Sequence, residues 1–251
     1  MKKSKILSIS IIAALACVLF GVAGQKQSAD KEINALGKTA LNSSLVAEKY
    51  MDVNDYYLQT ILKEGINQAE RKALSDAADT FEIGKNIAIS RKEIQQYQDY
   101  YQTAGMDQKS AYQEAVRTAE ERNALYVAAI QNGYEVTDQE IYEWLNELRG
   151  MLEQDDTGVY EAALKGFESE EAYWRHEFEV YRISLPIQNY IADKQKEFCS
   201  NYQKANVKTE GDDPAAESED AYNDWSNGLE DLKEKLVKEQ MFQKAKGSDC
   251  K

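Results

Sequence analysis

The chain has 251 residues, 43% hydrophobic and 29% charged, with 44 acidic against 30 basic side chains and a formal charge of -14. That content suits one large domain or two small ones, and only 2 prolines exclude a Pro-rich linker or tail as the main content. The acidity disfavours nucleic acid and anionic lipid surfaces, both of which call for basic patches.

Lys2, Lys3 and Lys5 precede Ile6 to Gly24, a run without a charged residue. A basic start followed by an apolar segment predicts export across the bacterial cytoplasmic membrane, with residues from about Gln25 onward outside the cytoplasm. Three fates of residues 1–24 stay open. The run approaches the roughly 20 residues of a spanning helix, which would leave a transmembrane anchor. Val22-Ala23-Gly24 offers small residues for signal-peptide cleavage before Gln25. Cys17 offers a lipidation site, although Ala14 stands where a lipobox has a large aliphatic residue.

From Ala29 to about Asp79 the pattern is helical, with Leu45, Val46, Tyr50, Tyr57, Ile61 and Leu62 as expected buried positions. Phe81 to Ile89, "FEIGKNIAI", is β-branched around Gly84 and Asn86 and predicts a short extended piece. Ser90 with Glu93 reads as a capping box, and Ile89 with Ile94 as its hydrophobic staple. The helix from Arg91 stops near Ala104 at Gly105. Asp107 caps the next one, which carries Ala111, Ala115, Ala119, Leu125, Val127 and Ile130. Asn132-Gly133 ends it, because Gly tolerates the left-handed C′ position. Thr137 and Glu140 form a second capping box, Val136 and Ile141 a second staple. Ile141, Trp144, Leu145 and Leu148 then share one helical face. Gly150 to Gly158 is polar and reads as loop, and Val159 to Lys165 as a short helix.

Ser169 caps a long helix with Trp174, Phe178, Tyr181 and Leu185 on one stripe, which Pro186 is expected to kink or divide. Asn206 to Asp220 is an acidic linker with Gly211 and Pro214. The last helix, Ala221 to about Lys244, shows Trp225, Leu229, Leu232 and Leu236 at spacings that make an amphipathic stripe seeking a partner surface.

Four stretches in order carry a resemblance. "FEIGKNIAISRKEI", "AAIQNGYEVTDQEIYEWLNEL", "LKGFESEEAYWRHEFEVYRISLPIQNYI" and "YNDWSNGLEDLKEKL" are similar to successive elements of the SurA/PrsA-type chaperone domain. The resemblance covers roughly Phe81 to Leu236. It implies a mainly α fold: an irregular multi-helix chaperone domain with one short extended segment and a returning C-terminal helix. The expected organisation is residues 25–80 as an N-terminal helical segment, 81–204 as the helical body, 205–220 as linker and 221–246 as the helix packing back. Family members often insert a parvulin-type prolyl isomerase where this chain has only the acidic linker. About 15 residues are too few for a domain, so the resemblance implies the chaperone module without the isomerase.

Catalytic signals are lacking in the sequence. His176 is the only histidine, and no Gly-rich phosphate loop or Gly-x-Ser-x-Gly elbow appears. Acidic clusters such as Glu168 to Glu171 lack the spacing of a calcium loop. Neither catalytic residue, cofactor nor metal is expected. Tyr97, Tyr100, Tyr101 and Tyr112 cluster around the first helix pair and read either as a client-binding surface or as half-wet core. Cys199 and Cys250 would pair in an oxidising compartment, with two free thiols as the competing reading. The expected function is that of an extracytoplasmic, ATP-independent chaperone-like protein binding unfolded exported clients. The alternative is a membrane-tethered adaptor for one folded partner.

Overall fold

The computed structural model describes residues 61–154, 158–205 and 214–247. Residues 61–64 are helical and are followed by seven helices and three short strands: α1 (Gln68–Asp76), β1 (Thr80–Ile83), β2 (Ala88–Ser90), α2 (Arg91–Thr103), α3 (Gln108–Gln131), α4 (Asp138–Leu152), α5 (Val159–Leu164), α6 (Glu170–Ala205), α7 (Pro214–Gln240) and β3 (Gln243–Lys244). The protein is mainly α, with a returning C-terminal helix, as the sequence predicts.

Helix starts follow local chemistry. The Asn67 side chain accepts from the Ala69 and Glu70 amides while Glu70 reaches back to the Asn67 amide, a complete capping box that the sequence pattern did not single out. Asp107 and Thr137 cap α3 and α4 as expected. Ser90 accepts from the Glu93 amide, but only half of that box forms. Glu93 turns inward instead and accepts a hydrogen bond from Asn123 at 2.8 Å.

The single expected extended piece is a three-stranded antiparallel sheet, ordered β2-β1-β3. Thr80 pairs with Ser90 and Ile83 with Ala88, with a register shift between Thr80 and Glu82. On the other edge, Glu82 pairs with Lys244 and Ile83 with Gln243. β3 replaces what periodicity assigns to the end of the last helix. Met241 takes a left-handed conformation (φ 51) that stops α7 at Gln240 and redirects the chain into the strand. Phe242 is thereby driven against Gly84, where a Cβ would lie 2.8 Å from its ring. Gln240 also grips the hairpin turn: its carbonyl accepts from the Lys85 amide at 2.7 Å and its side chain from the Asn86 amide at 3.0 Å.

Three other boundaries differ from expectation. α4 continues through Gly150 to Leu152, because the apolar face of Leu148, Met151 and Leu152 keeps packing. α6 runs undivided through Pro186: Leu185, Pro186 and Ile187 are all buried, and their packing offsets the missing backbone hydrogen bond. α7 begins at Pro214 rather than Ala221, with Pro at the first helical position, where its missing amide costs nothing.

Two regions result. The body joins the sheet, α2, α3, α7 and the second half of α6. Ala111, Ala115 and Ala119 on α3 are fully buried, which lets its neighbours approach closely. Phe81, Ile89, Ile94, Ala115 and Ala119 form one cluster; Ala124, Leu125, Ala128, Ala129, Ile187, Tyr190 and Leu236 form another, and Phe242 touches both. Trp225, 7% exposed, packs 5.7 Å from Phe198, and Leu232 joins Leu236, so the stripe of the last helix does fold back on the body. The arm comprises α4, α5 and the first half of α6, with its own core of Ile141, Leu145, Leu148, Phe178 and Leu185.

Among the described residues no helix is long and apolar enough to cross a membrane. No described helix therefore supplies the transmembrane anchor that the sequence reading expected, and the membrane-anchored localisation is corrected to that extent. The long helices are interrupted by charge: α3 alone carries Lys109, Glu114, Arg117, Glu120, Glu121 and Arg122. The run Ile6 to Gly24, on which the anchor and export readings rest, lies outside the described residues, as do Cys17, Leu45, Val46, Tyr50 and Tyr57.

Candidate functional site

The arm leaves the body at a tight joint. Gly133 adopts φ 83, which an L side chain would strain, and the Tyr134 amide donates back to the Ala129 carbonyl at 3.0 Å. Thr137 then opens α4 with both halves of its capping box, its amide donating to Glu140 at 2.7 Å. Arg182 of α6 donates to Asp138 at 3.0 Å and fixes the near end of the arm. At the far end Arg149 pairs with Glu170 at 2.6 Å, and Glu170 also accepts from the Tyr160 hydroxyl and the Trp174 indole.

Between these clamps the arm is lined with rings. Tyr142 is 55% exposed and lies 4.6 Å from the Phe178 ring. Trp144 is half-buried, 6.0 Å from Tyr181. α5 brings Tyr160 to 5.9 Å from Tyr173 and 6.0 Å from Trp174, and Phe167 lies 5.2 Å from Tyr173. Aromatic pairs at such separations add stability beyond burial.

Polar groups inside this ring set are strongly perturbed. His176, 6% exposed beside Phe167, is pushed down to about 4 by burial. Glu177 is pushed up to about 7 by burial, partly countered by the Tyr173 hydroxyl. Tyr181 is raised to about 12, first by burial and then by the Glu177 charge. The body holds a comparable group in Glu120, raised to about 7 by burial and by the facing Glu82, with Lys244 acting the other way. There, however, Lys244 pairs with Glu82 at 2.7 Å and lies 3.6 Å from the Phe81 ring centre.

The four tyrosines singled out by sequence sit in the body. Tyr100 is 6% exposed and meets Tyr101 edge to face at 5.2 Å. Tyr101 exchanges a 2.7 Å hydrogen bond with Thr118, Tyr112 meets Phe81 edge-on, and Tyr97, Tyr101 and Tyr112 pack against the Phe81–Ile94 cluster. The structure brings them together, as half-buried core. Cys199 is half-buried as a free thiol, and Cys250 lies outside the described residues. No group of three or more His, Cys, Asp or Glu among the described residues is placed to hold a metal. Sequence reasoning passed over Tyr142, Tyr173 and Glu177. Their signal was Tyr173, Glu177 and Tyr181 at spacings of four, hidden beside the apolar stripe of the same helix.

Comparison of the chain with protein-family models, with curated proteins and with solved structures finds no match.

Proposed function

We propose that the protein holds unfolded polypeptide segments without nucleotide or covalent chemistry, and that the aromatic arm is the holding surface. The observation that carries this reading is the contrast in closure. The returning helix and β3 cover the body, whereas the arm carries Tyr142, the one exposed aromatic ring among the described residues, beside half-buried Trp144, Trp174 and Tyr181 on α4 and α6. Rings of this kind offer broad apolar contact with polar tips at little entropic cost, which suits recognition of varied chains. The resemblance of the sequence to SurA/PrsA-type chaperones points the same way, and the continuous return of α7 onto the body is where those proteins often interpose an isomerase.

The test is suppression of aggregation. The purified full chain at near-stoichiometric ratio should slow light scattering by several unrelated unfolded proteins. Tyr142→Ser combined with Trp144→Ser should weaken that effect, with circular dichroism unchanged. Tight binding to one folded partner, with no effect on those proteins, would instead mark an adaptor. Prolyl isomerisation of a tetrapeptide substrate is expected to stay at background.

A further inference from the structure

The strap that follows α7 lies beside α1, and together they line a cavity of about 310 Å³. Backbone hydrogen bonds hold the strap in place. The Ala245 amide donates to the Phe81 carbonyl at 2.9 Å, and the Lys246 amide to the Ser75 carbonyl at 3.3 Å. Ala245 is buried, so its neighbours Lys244 and Lys246 project to the other side of the strap, where they line the cavity. Arg71 and Lys72 of α1 form the facing wall. Arg71 donates to the Gly84 carbonyl at 2.7 Å and the Ile83 carbonyl at 3.4 Å, neutral acceptors that leave its charge unmatched. Lys72 and Lys246 reach one carboxylate, Asp76, at 2.6 and 2.5 Å, and Lys244 reaches Glu82 at 2.7 Å. Four cations thus share two carboxylates. Hydrogen bonds from Lys246 and then Lys72 hold the Asp76 carboxyl down to about 2, in keeping with positive surroundings. On α6 and α7, by contrast, lysines are matched within their own helix: Lys194 with Glu197, Lys196 with Asp193, Lys235 with Glu239 and Lys238 with Glu234.

In a chain of net charge -14, such an excess of positive charge is a local attraction for carboxylates. Lys72, Lys244 and Lys246 are exposed, and an ammonium has three donors, so each can take a second acceptor without leaving its first. The cations stand on both walls of a trough rather than around one point. That arrangement suits a linear series of carboxylates better than one compact ion. We infer that the trough between α1 and the strap takes an acidic segment of a bound polypeptide, its Asp or Glu carboxylates lying against Arg71, Lys72, Lys244 and Lys246. This deepens the holding function and rests on it for the ligand being polypeptide. Nucleic acid fits the trough less well. Among the described residues that line it none is aromatic, and the Phe81 ring is 3% exposed beneath Lys244, so bases would find no ring to stack on.

The experiment uses two Gly/Ser peptides carrying an uncharged fluorophore, with Glu at alternate positions in one and Gln in the other. Anisotropy with the full chain at pH 7 in about 0.1 M salt screens the long-range repulsion of the acidic chain and keeps close ion pairs. The Glu peptide should bind about tenfold more tightly, a preference of the size a few exposed ion pairs provide together. It should vanish in about 1 M salt. Lys72→Gln combined with Lys246→Gln should abolish it with circular dichroism unchanged, since both side chains and the Asp76 they release are exposed. Lys235→Gln combined with Lys238→Gln on α7 makes the same change in net charge and should leave the preference intact. Equal affinities, a preference that survives the first pair of changes, or one lost equally in the second would overturn the trough. Tighter binding of a short oligothymidylate than of the Glu peptide would overturn the polypeptide ligand. The aggregation assay separates the two proposals. Suppression without a Glu preference removes the trough and leaves the holding function; a Glu preference without suppression does the reverse.

Discussion

The body and the arm share one helix, α6, and solve the burial problem in opposite ways. The body closes by bringing small and aliphatic side chains into contact: Ala111, Ala115, Ala119 and Ala129 are fully buried, and Phe242 and Leu236 arrive from the far end of the described chain to finish the core. Its contacts are long-range, as where Gln240 grips the turn at Asn86. The arm uses large rings that touch at their edges and remain partly wet, and its contacts run between neighbouring helices. Two carboxyls with the same shift show the difference. Burial raises both, but Glu120 in the body also faces Glu82 and Lys244, while at Glu177 in the arm the Tyr173 hydroxyl acts against the rise. A closed core tolerates no vacancy; an aromatic surface is stable while still offering contact.

The largest effect that would break this comparison is at tryptophan. Trp225→Ala removes the buried ring that docks α7 on Phe198 and should cost about 3–5 kcal/mol in urea unfolding. Trp144→Ala in the arm should cost clearly less, because its ring is already half in solvent. Equal losses would mean that the arm is as closed as the body. Next, Ala119→Leu should cost about 1–3 kcal/mol by forcing apart α3 and the Phe81–Ile89 cluster, where the alanine has no exposed surface. Gly150→Ala in α4, at a half-buried position where a Cβ would meet nothing within 4 Å, should be neutral or stabilising.

Titration sharpens the contrast further. The folded chain holds Glu177 protonated up to about 7 against an ordinary 4.5, so the native state binds the extra proton between those values. Stability should therefore fall as pH rises from about 4.5 to 7 and level off above. The loss should be on the order of 2 kcal/mol and should disappear in Glu177→Gln. Glu120 should contribute the same slope more weakly, since solvent screens its half-exposed carboxyl. His176 works in the opposite sense: kept neutral down to about 4 against an ordinary 6.5, it removes stability as pH falls through that window.

Most of the helical framework was legible because its signals are local. The caps at Asp107 and Thr137, the alanine face of α3 and the Trp225–Leu236 stripe each act within a turn or two, and each forms. What escaped depends on distant partners. β3 carries two exposed polar side chains and exists because β1 offers it an edge. Continuity through Pro186 follows from burial on both sides, which no local pattern encodes. Glu93 has the spacing of a capping residue, yet Asn123 claims it. The arm was legible as helices and illegible as a site, since a ring facing solvent and a ring facing the core leave the same periodicity.

The smallest expected effect tests how locally the arm is held. Thr137 is exposed, and its hydroxyl and amide both engage Glu140, at 2.8 and 2.7 Å. Thr137→Ala removes the cap and should cost about 1 kcal/mol, the usual value for such a residue. In the body, Ser90→Ala removes a single hydrogen bond at 3.0 Å, because Glu93 is already engaged elsewhere. The two losses should be similar in size, so the informative readout is where they occur. Hydrogen exchange in Thr137→Ala should accelerate along the first turns of α4 and leave α3 and α7 protected, because the arm's opening is coupled to the body chiefly through α6. Ser90→Ala should instead lower protection across α2, α3 and the sheet together, since that cap sits inside the closed core. If Thr137→Ala loosened the body equally, arm and body would be one cooperative unit, and an arm that opens to receive a chain without unfolding its support would have no structural basis.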